Sequence, residues 1–189
     1  KPYVILPMLK GQPIENPNMS QCRAIGHYLA KLHLATENFT QKQSNPFDQN
    51  WHRRTLLELK SSLAAQAIQQ LEQHFSELYA QHFELPSGII HSDLFRDNAL
   101  FVGDNLTGVI DYYFACFEDY LLDVATTVLD WCLNDQNNLD GQKMNAILSA
   151  YSSVRHFNEQ EKLAWPTYLA RAAFRFYLSR LLAEQKASG

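Results

Sequence analysis

Apolar residues recur at helical spacing over most of the chain. Cys22, Ile25, Leu29 and Leu32 fall on one stripe, which predicts an amphipathic helix over about Met19 to Asn38 with that face toward a core. From about Gln49 to Phe83 the chain is rich in Leu, Ala, Gln and Glu and free of Pro and Gly. Its stripe of Leu56, Leu59 and Leu63 does not run cleanly into Leu71, Phe75 and Leu78, so one break is expected near Ser61 to Gln66. Three more helices are predicted: Leu122 to Asn134, Asp140 to Val154, and one opening at the capping-box-like Asn158-Glu159-Gln160-Glu161. The last runs to about Gln185, with Pro166 interrupting it.

Short apolar runs bounded by turn residues predict the strands. These are Tyr3 to Leu9, ending in the turn cluster Lys10-Gly11-Gln12-Pro13, then Ile89-Ile90, and a hairpin of Ala99 to Val102 with Thr107 to Ile110 around Gly103-Asp104-Asn105. The polar stretch Gln41 to Gln49 reads as a loop, and Leu85-Pro86-Ser87-Gly88 ends the second helical region. The expected fold class is mainly α with a small β hairpin (α+β). No internal repeat or low-complexity tract is present.

Composition narrows the function classes. At 189 residues the chain can build one sizeable helical domain. A net charge of −4, with scattered Lys and Arg, argues against general nucleic-acid binding. No apolar run reaches membrane-spanning length, because the longest candidates carry Arg171, Arg175 and Arg180. Cys22, Cys116 and Cys132 are an odd number without metal spacing, as expected of free thiols in a reducing, cytoplasmic compartment. Lys1 leads into a strand-like run with no cleavage site, unlike a signal peptide, and a start in mid-strand reads as a fragment.

The chemistry concentrates in His91-Ser92-Asp93-Leu94-Phe95-Arg96-Asp97-Asn98, followed by Gly108-Val109-Ile110-Asp111. A phosphoryl transferase must take a proton from the attacking hydroxyl and hold magnesium against phosphate oxygens. Asp93 suits the first task, while Asn98 and Asp111 offer oxygen ligands for a hard cation. The spacing H-x-D-x-x-x-x-N followed by a strand-borne Asp matches a kinase catalytic loop. A hairpin between Asn98 and Asp111 would bring both ends together beside Asp93, which predicts one metal site. The competing reading is a polar turn between two strands with satisfied side chains. If Asp93 and Asp111 sit close together, their repulsion should raise at least one carboxyl pKa in the absence of metal.

Outside this loop the structural readings compete with functional ones. His33 follows the first helical stripe and is expected to be a hydrogen-bonded core histidine. Trp51, His52, Arg53 and Arg54 could reach a ligand, but a solvated first turn with a docking Trp is the better reading. Asp123, Thr127 and Asp130 share one helix face. Asp123 could brace backbone amides of the catalytic loop, or be an ordinary helix-start carboxylate, or both. Arg171 and Arg175 share a face, and each needs a partner if buried.

The stretches HSDLFRDNALF, TGVIDYYFACFEDYLLDVATTVLDWC, AIGHYLAKLHLA and YLARAAFRFYLSRL resemble the bacterial homoserine kinases of the aminoglycoside-phosphotransferase-like, protein-kinase-like superfamily. The likeness runs from Tyr3 to about Leu182. It implies a two-lobed fold of which this chain supplies residues 1–12 as a hinge strand and 13–189 as the helical C-terminal lobe, with the catalytic loop at 91–98 and the metal-binding strand end at 108–111. No glycine-rich loop and no V-A-I-K type lysine precedes the hinge, so the small N-terminal lobe of the same protein is the implied partner, and the chain alone is expected to be inactive. The family also usually continues past the position of Gly189.

The resemblance makes Asp93 the catalytic Asp, Asn98 and Asp111 the ligands of Mg2+, and Asp123 the loop brace, with His91 in support. Met8 and Leu9 would meet the adenine of ATP through backbone groups. Ser92 stands where a small residue or Arg is common, and Arg96-Asp97 replaces a Pro/Gly-type pair, putting charge beside the transferred phosphate. The implied acceptor is L-homoserine, in threonine biosynthesis. Its ammonium would need Asp130 or Asp97, and its carboxylate Arg175 or, second, Arg171. Arg96 would lie near the γ-phosphate as an in-cis cation. A kinase for another small hydroxylated amine or sugar, and a non-catalytic kinase-like binding module, remain open.

Overall fold

The computed structural model describes residues 8–134, 136 and 138–188. Among the described residues six α-helices carry the fold: α1 (Met19–Ala35), α2 (Gln49–Leu59), α3 (Ala65–Tyr79), α4 (Tyr120–Trp131), α5 (Gly141–Ser152) and α6 (Glu159–Ser188). Four short strands sit between α3 and α4: β1 (Ser87–Ile90), β2 (Ala99–Val102), β3 (Asn105–Val109) and β4 (Cys116–Asp119).

Local sequence explains the helix boundaries. Asn18 caps α1 by accepting from the Ser20 and Gln21 amides, while the Gln21 side chain returns to the Asn18 amide. Asp48 caps α2 through the Trp51 amide, and Asp140 caps α5 through Gln142 and Lys143. Asn158 and Glu161 close the expected capping box at the head of α6. The expected break in the second helical region falls between Leu59 and Ala65.

The principal core lies where α1, α4 and α5 meet the segment 91–101, with Ile25, Leu29, Leu94, Val128, Trp131 and Ile147 all buried. Gly26 lets α1 and α5 come close, because a Cβ there would strike the Ile147 carbonyl. A second core joins α2 and α3 to the far end of α6 through Leu56, Leu59, Ile68, Leu71, Phe174 and Leu178. A third ties α4 to α6 through Leu121, Ala125, Tyr168 and Ala172. The loop at 91–98 therefore rests on helices that belong to all three clusters.

Several expectations change. The hairpin of β2 and β3 exists, but β3 starts at Asn105 and ends at Val109. β1 is not isolated: it pairs antiparallel with β4, which the sequence pattern did not suggest. Helix α4 begins two residues earlier than expected, at Tyr120, and ends at Trp131, since Asn134 turns back to accept from the Gln136 and Asn138 amides. Helix α6 runs through Pro166 without ending. Seven residues after the helix start, proline removes one backbone donor, and the packing of α6 against α4 and α2 carries the helix past it. Of the expected strand Tyr3 to Leu9, residues 3–7 lie outside the described residues. Met8 and Leu9 are not in a strand, and chain pairing starts only at Gln12, bridged to Phe101.

Candidate active site

The loop after β1 is held by one buried carboxylate. Asp123, in the first turn of α4, accepts the His91 amide on one oxygen and the Ser92 amide on the other, each at 2.8 Å. His33 of α1 contacts the same carboxylate through Nε2 at 3.0 Å, and its Nδ1 lies 2.7 Å from the Tyr151 hydroxyl. Arg155 donates to that hydroxyl and pairs with Glu161 at 2.8 Å. A polar chain thus runs from α6 through the segment after α5 to the loop. Burial holds the His33 pKa below its usual value, so the ring is neutral and donates Nε2–H. Burial alone would raise the Asp123 pKa, but the His33 hydrogen bond and the His91 amide outweigh it and keep this carboxyl ionised.

With its amide anchored, Ser92 takes a left-handed backbone at φ 68°. Arg175 of α6 fixes the other side of this residue by donating to the Ser92 carbonyl at 2.7 Å. A non-glycine residue held there is strained, and here both of its flanking peptide groups are tied to buried charges. The consequence is a sharp reversal that presents Asp93 at the surface of the loop.

Three side chains converge there. Asn98 donates to the Asp93 carbonyl at 2.9 Å, which leaves its own side-chain oxygen for another partner. The Ile110 amide bonds the Asn98 carbonyl at 2.9 Å, so the end of the β2–β3 hairpin sets Asp111 beside Asn98. His91 takes the Asp93 amide on Nδ1 at 3.3 Å and reaches the Ile110 carbonyl with Nε2 at 3.1 Å, bridging loop and hairpin. Asp111 has φ 62° and is exposed, with a long contact to the Tyr113 amide. Among the described residues no cluster of three or more His, Cys, Asp or Glu side chains forms a metal cage. Magnesium does not need one, since it commonly takes one or two protein oxygens and completes its shell with phosphate and water.

Burial is the main reason the Asp93 carboxyl titrates above its usual range. Arg175, 3.5 Å away, and His91 pull it down, while Asp97 and Asp111 add smaller upward pushes. The expected repulsion by Asp111 is present, but it ranks below desolvation.

Other expected site residues fall into different places. Arg96 and Asp130, expected at the phosphate and at the substrate ammonium, hold each other. Arg96 donates through its amide (2.8 Å) and Nε (3.1 Å) to Asp130 and also reaches the Glu15 carbonyl. That pair anchors the turn Arg96–Asn98 to α4 and matches both charges before any ligand arrives. Asp97 is exposed on the same turn, and Met8 is 97% exposed.

His52, expected in a solvated first turn, is instead 3% exposed and stacked on Phe174. It lines a cavity of about 250 Å³ together with Glu118, Asp119, Tyr168, Arg171 and Arg175. Arg175 is buried among Phe47, Phe176, Ser92 and Asp93, while Arg171 donates to the Leu78 and Gln81 carbonyls between Tyr79 and Tyr168. Glu118 and Asp119 drew no attention in the sequence because β4 was not foreseen. Pairing of β4 with β1 is what brings them to this cavity.

A helical lobe with a strained His-x-Asp loop, an Asn and a hairpin-borne Asp is the frame of a protein-kinase-like phosphotransferase. The chain belongs to the phosphotransferase enzyme family, whose model matches residues 1–157. It is similar to the homoserine kinase of Methylobacillus flagellatus, with 39% identity over 184 residues, covering 96% of this chain and 57% of that protein. The homoserine kinase of Janthinobacterium sp. is 40% identical over 187 residues, with 96% and 58% covered. The chain therefore spans somewhat under three fifths of the length of these curated relatives. An amicoumacin kinase solved with AMP-PNP and Ca2+ superposes with a TM-score of 0.70 at 16% identity, covering 92% of this chain and 55% of that one, which establishes a shared fold.

Proposed function

We propose that this chain is the catalytic and acceptor-binding part of an ATP-dependent kinase that phosphorylates the side-chain hydroxyl of L-homoserine. In this reading it works in the cytoplasm, in threonine biosynthesis, together with a small nucleotide-covering lobe of the same protein. The observation that carries the reading is the convergence of Asp93, Asn98 and Asp111 on one backbone-locked turn. Similarity along nearly the whole chain to proteins named homoserine kinase supports homoserine as the acceptor.

Asp93 accepts the proton of the acceptor hydroxyl and aims that oxygen at the phosphorus. The Asn98 side-chain oxygen and the Asp111 carboxylate suit Mg2+, a hard cation that prefers oxygen. When bound, magnesium neutralises phosphate charge. Asn98 is already oriented by its bond to the Asp93 carbonyl, and Asp123 holds the loop from beneath. Backbone groups of Met8 and Leu9 lie on the side from which adenine enters. Arg175, fixed on the Ser92 carbonyl, meets the acceptor carboxylate. Transfer is direct and in line, since the loop places no Cys or His nucleophile at the reacting position.

The test is a side-by-side ADP-release assay on the full-length protein with homoserine, choline and an aminoglycoside as acceptors. Homoserine should exceed the others by about a hundredfold in kcat/KM, roughly 2.7 kcal/mol of discrimination. Faster turnover of another hydroxylated amine or sugar would replace the acceptor assignment. No acceptor-dependent release at all would favour a binding module.

A further inference from the structure

The cavity between α2, β4 and α6 carries charges of both signs that do not neutralise one another. Its lining includes the acids Glu118 and Asp119 and the bases Arg171 and Arg175. Among the described residues no ion pair joins Asp48, Glu118 or Asp119 to either arginine. Arg175 pairs with Asp93 of the loop, and each of the other three charges is held in place by a neutral neighbour. Asp119 accepts the Tyr168 hydroxyl, and Glu118 accepts the Asn45 amide group at 2.9 Å. Arg171 is positioned by donating to the Leu78 and Gln81 carbonyls through Nε and one Nη. Opposite charges in a shared, partly buried space normally collapse onto each other. Fixed apart, they define a site for a ligand that carries both signs.

Two further observations point to a ligand. Arg175 Nε and His52 Nε2 are buried with no hydrogen-bond partner, and both residues line this cavity. A buried unpartnered donor of a guanidinium is costly and asks for an acceptor. The cavity adjoins the loop through Arg175, which lines it and stands 3.5 Å from Asp93. Its volume of about 250 Å³ accommodates a small amino acid but not an oligosaccharide. Burial holds the Asp119 carboxyl above its usual range, although the Tyr168 hydroxyl and Arg171 oppose the shift.

We infer that this cavity is an α-amino-acid subsite in which Glu118 and Asp119 receive the ammonium and Arg171 and Arg175 the carboxylate, leaving the side-chain hydroxyl at Asp93. The assignment rests on the kinase reading above and moves the ammonium partner away from Asp130, which is committed to Arg96. Specificity for an amino acid then resides in the β4 strand and α6, not in the catalytic loop.

The test compares wild type with Asp119→Asn and Glu118→Gln in the full-length kinase, using homoserine and 4-hydroxybutyrate, which lacks the ammonium. Asparagine at 119 can still accept from Tyr168, so the fold is preserved, and an unchanged melting temperature verifies this. The expected result is a rise of about tenfold or more in KM for homoserine with at least one variant, an unchanged KM for ATP, and the loss of most of the preference for homoserine over 4-hydroxybutyrate. An unchanged homoserine KM in both folded variants, or an equal rise for homoserine and ATP, would overturn the subsite while leaving the kinase intact. Wild-type enzyme that releases no ADP with homoserine would overturn the kinase reading itself, and the subsite with it.

Discussion

At the scale of single residues, the account turns on buried polar groups whose protonation is set by their surroundings. His52 is pushed down to about 4, chiefly by burial, with Arg175 adding to the effect and the Asp48 backbone bond opposing it. His33 is held low in the same way. His52 stays neutral in the folded protein at mildly acidic pH, whereas in the unfolded chain it takes up a proton near 6.5. The unfolded state therefore binds more protons, and stability falls as pH drops from about 6.5 toward 4. For His52 the full effect is about 3 kcal/mol. Asp123, whose carboxyl is depressed, adds a further loss as pH falls through its folded pKa. Asp93 and Asp119 are raised and so work in the opposite sense within the carboxylate range. Urea unfolding at pH 7.0 and 5.0 should show a lower midpoint at pH 5.0, and His52→Phe should flatten that difference. An equal slope in wild type and variant would show that His52 is not neutral in the fold. If Asp93 accepts the proton as proposed, its raised pKa predicts an acid limb of kcat/KM above the ordinary carboxylate range.

At the scale of elements, the close pairing of α1 and α5 depends on Gly26. Gly26→Val should cost about 1–3 kcal/mol by forcing the helices apart, seen as a lower melting temperature. Because α1 also carries His33, the same change should slacken the brace under the loop and lower kcat. A variant as stable and as active as wild type would show that the helices have room to move. Helices were legible because their stripes are long and periodic, and the catalytic loop because Asp93, Asn98 and Asp111 lie at telling spacings. β4 was not legible: Cys116-Phe117-Glu118-Asp119 is four residues without alternation, and only its partner β1 makes it a strand. The Arg96–Asp130 pair was equally hidden. Spacing places Asp130 on the Asp123 face, but only the turn of the chain at Arg96–Asn98 brings the guanidinium to it. His52 misled because a His beside two Arg looks solvated, whereas the packing of α2 on α6 buries it.

At the scale of the whole molecule, Asp93 is served from every side. α1 and α4 hold the loop from beneath through His33 and Asp123, the β2–β3 hairpin brings Asp111, and α6 brings Arg175. Among the described residues no helix is long and apolar enough to cross a membrane. In the proposed reading these elements supply the proton acceptor, the oxygen ligands and the acceptor cavity. In the proposed arrangement the nucleotide meets them across the face that bears Asp111 and the exposed Met8. The division of labour makes a prediction: changes in the acceptor cavity alter KM for homoserine, changes at Asn98 or Asp111 alter the magnesium requirement, and a change at Asp93 alters turnover alone.

The central claim is that Asp93 performs the proton transfer. The most direct test is Asp93→Asn in the full-length protein, with kcat measured by ADP release and nucleotide affinity by equilibrium titration with a nonhydrolysable ATP analogue. The account predicts a fall in kcat of about 10²- to 10⁴-fold with nucleotide affinity within about twofold of wild type. A parallel loss of affinity and turnover would make Asp93 a metal ligand, and undiminished turnover would contradict the account outright.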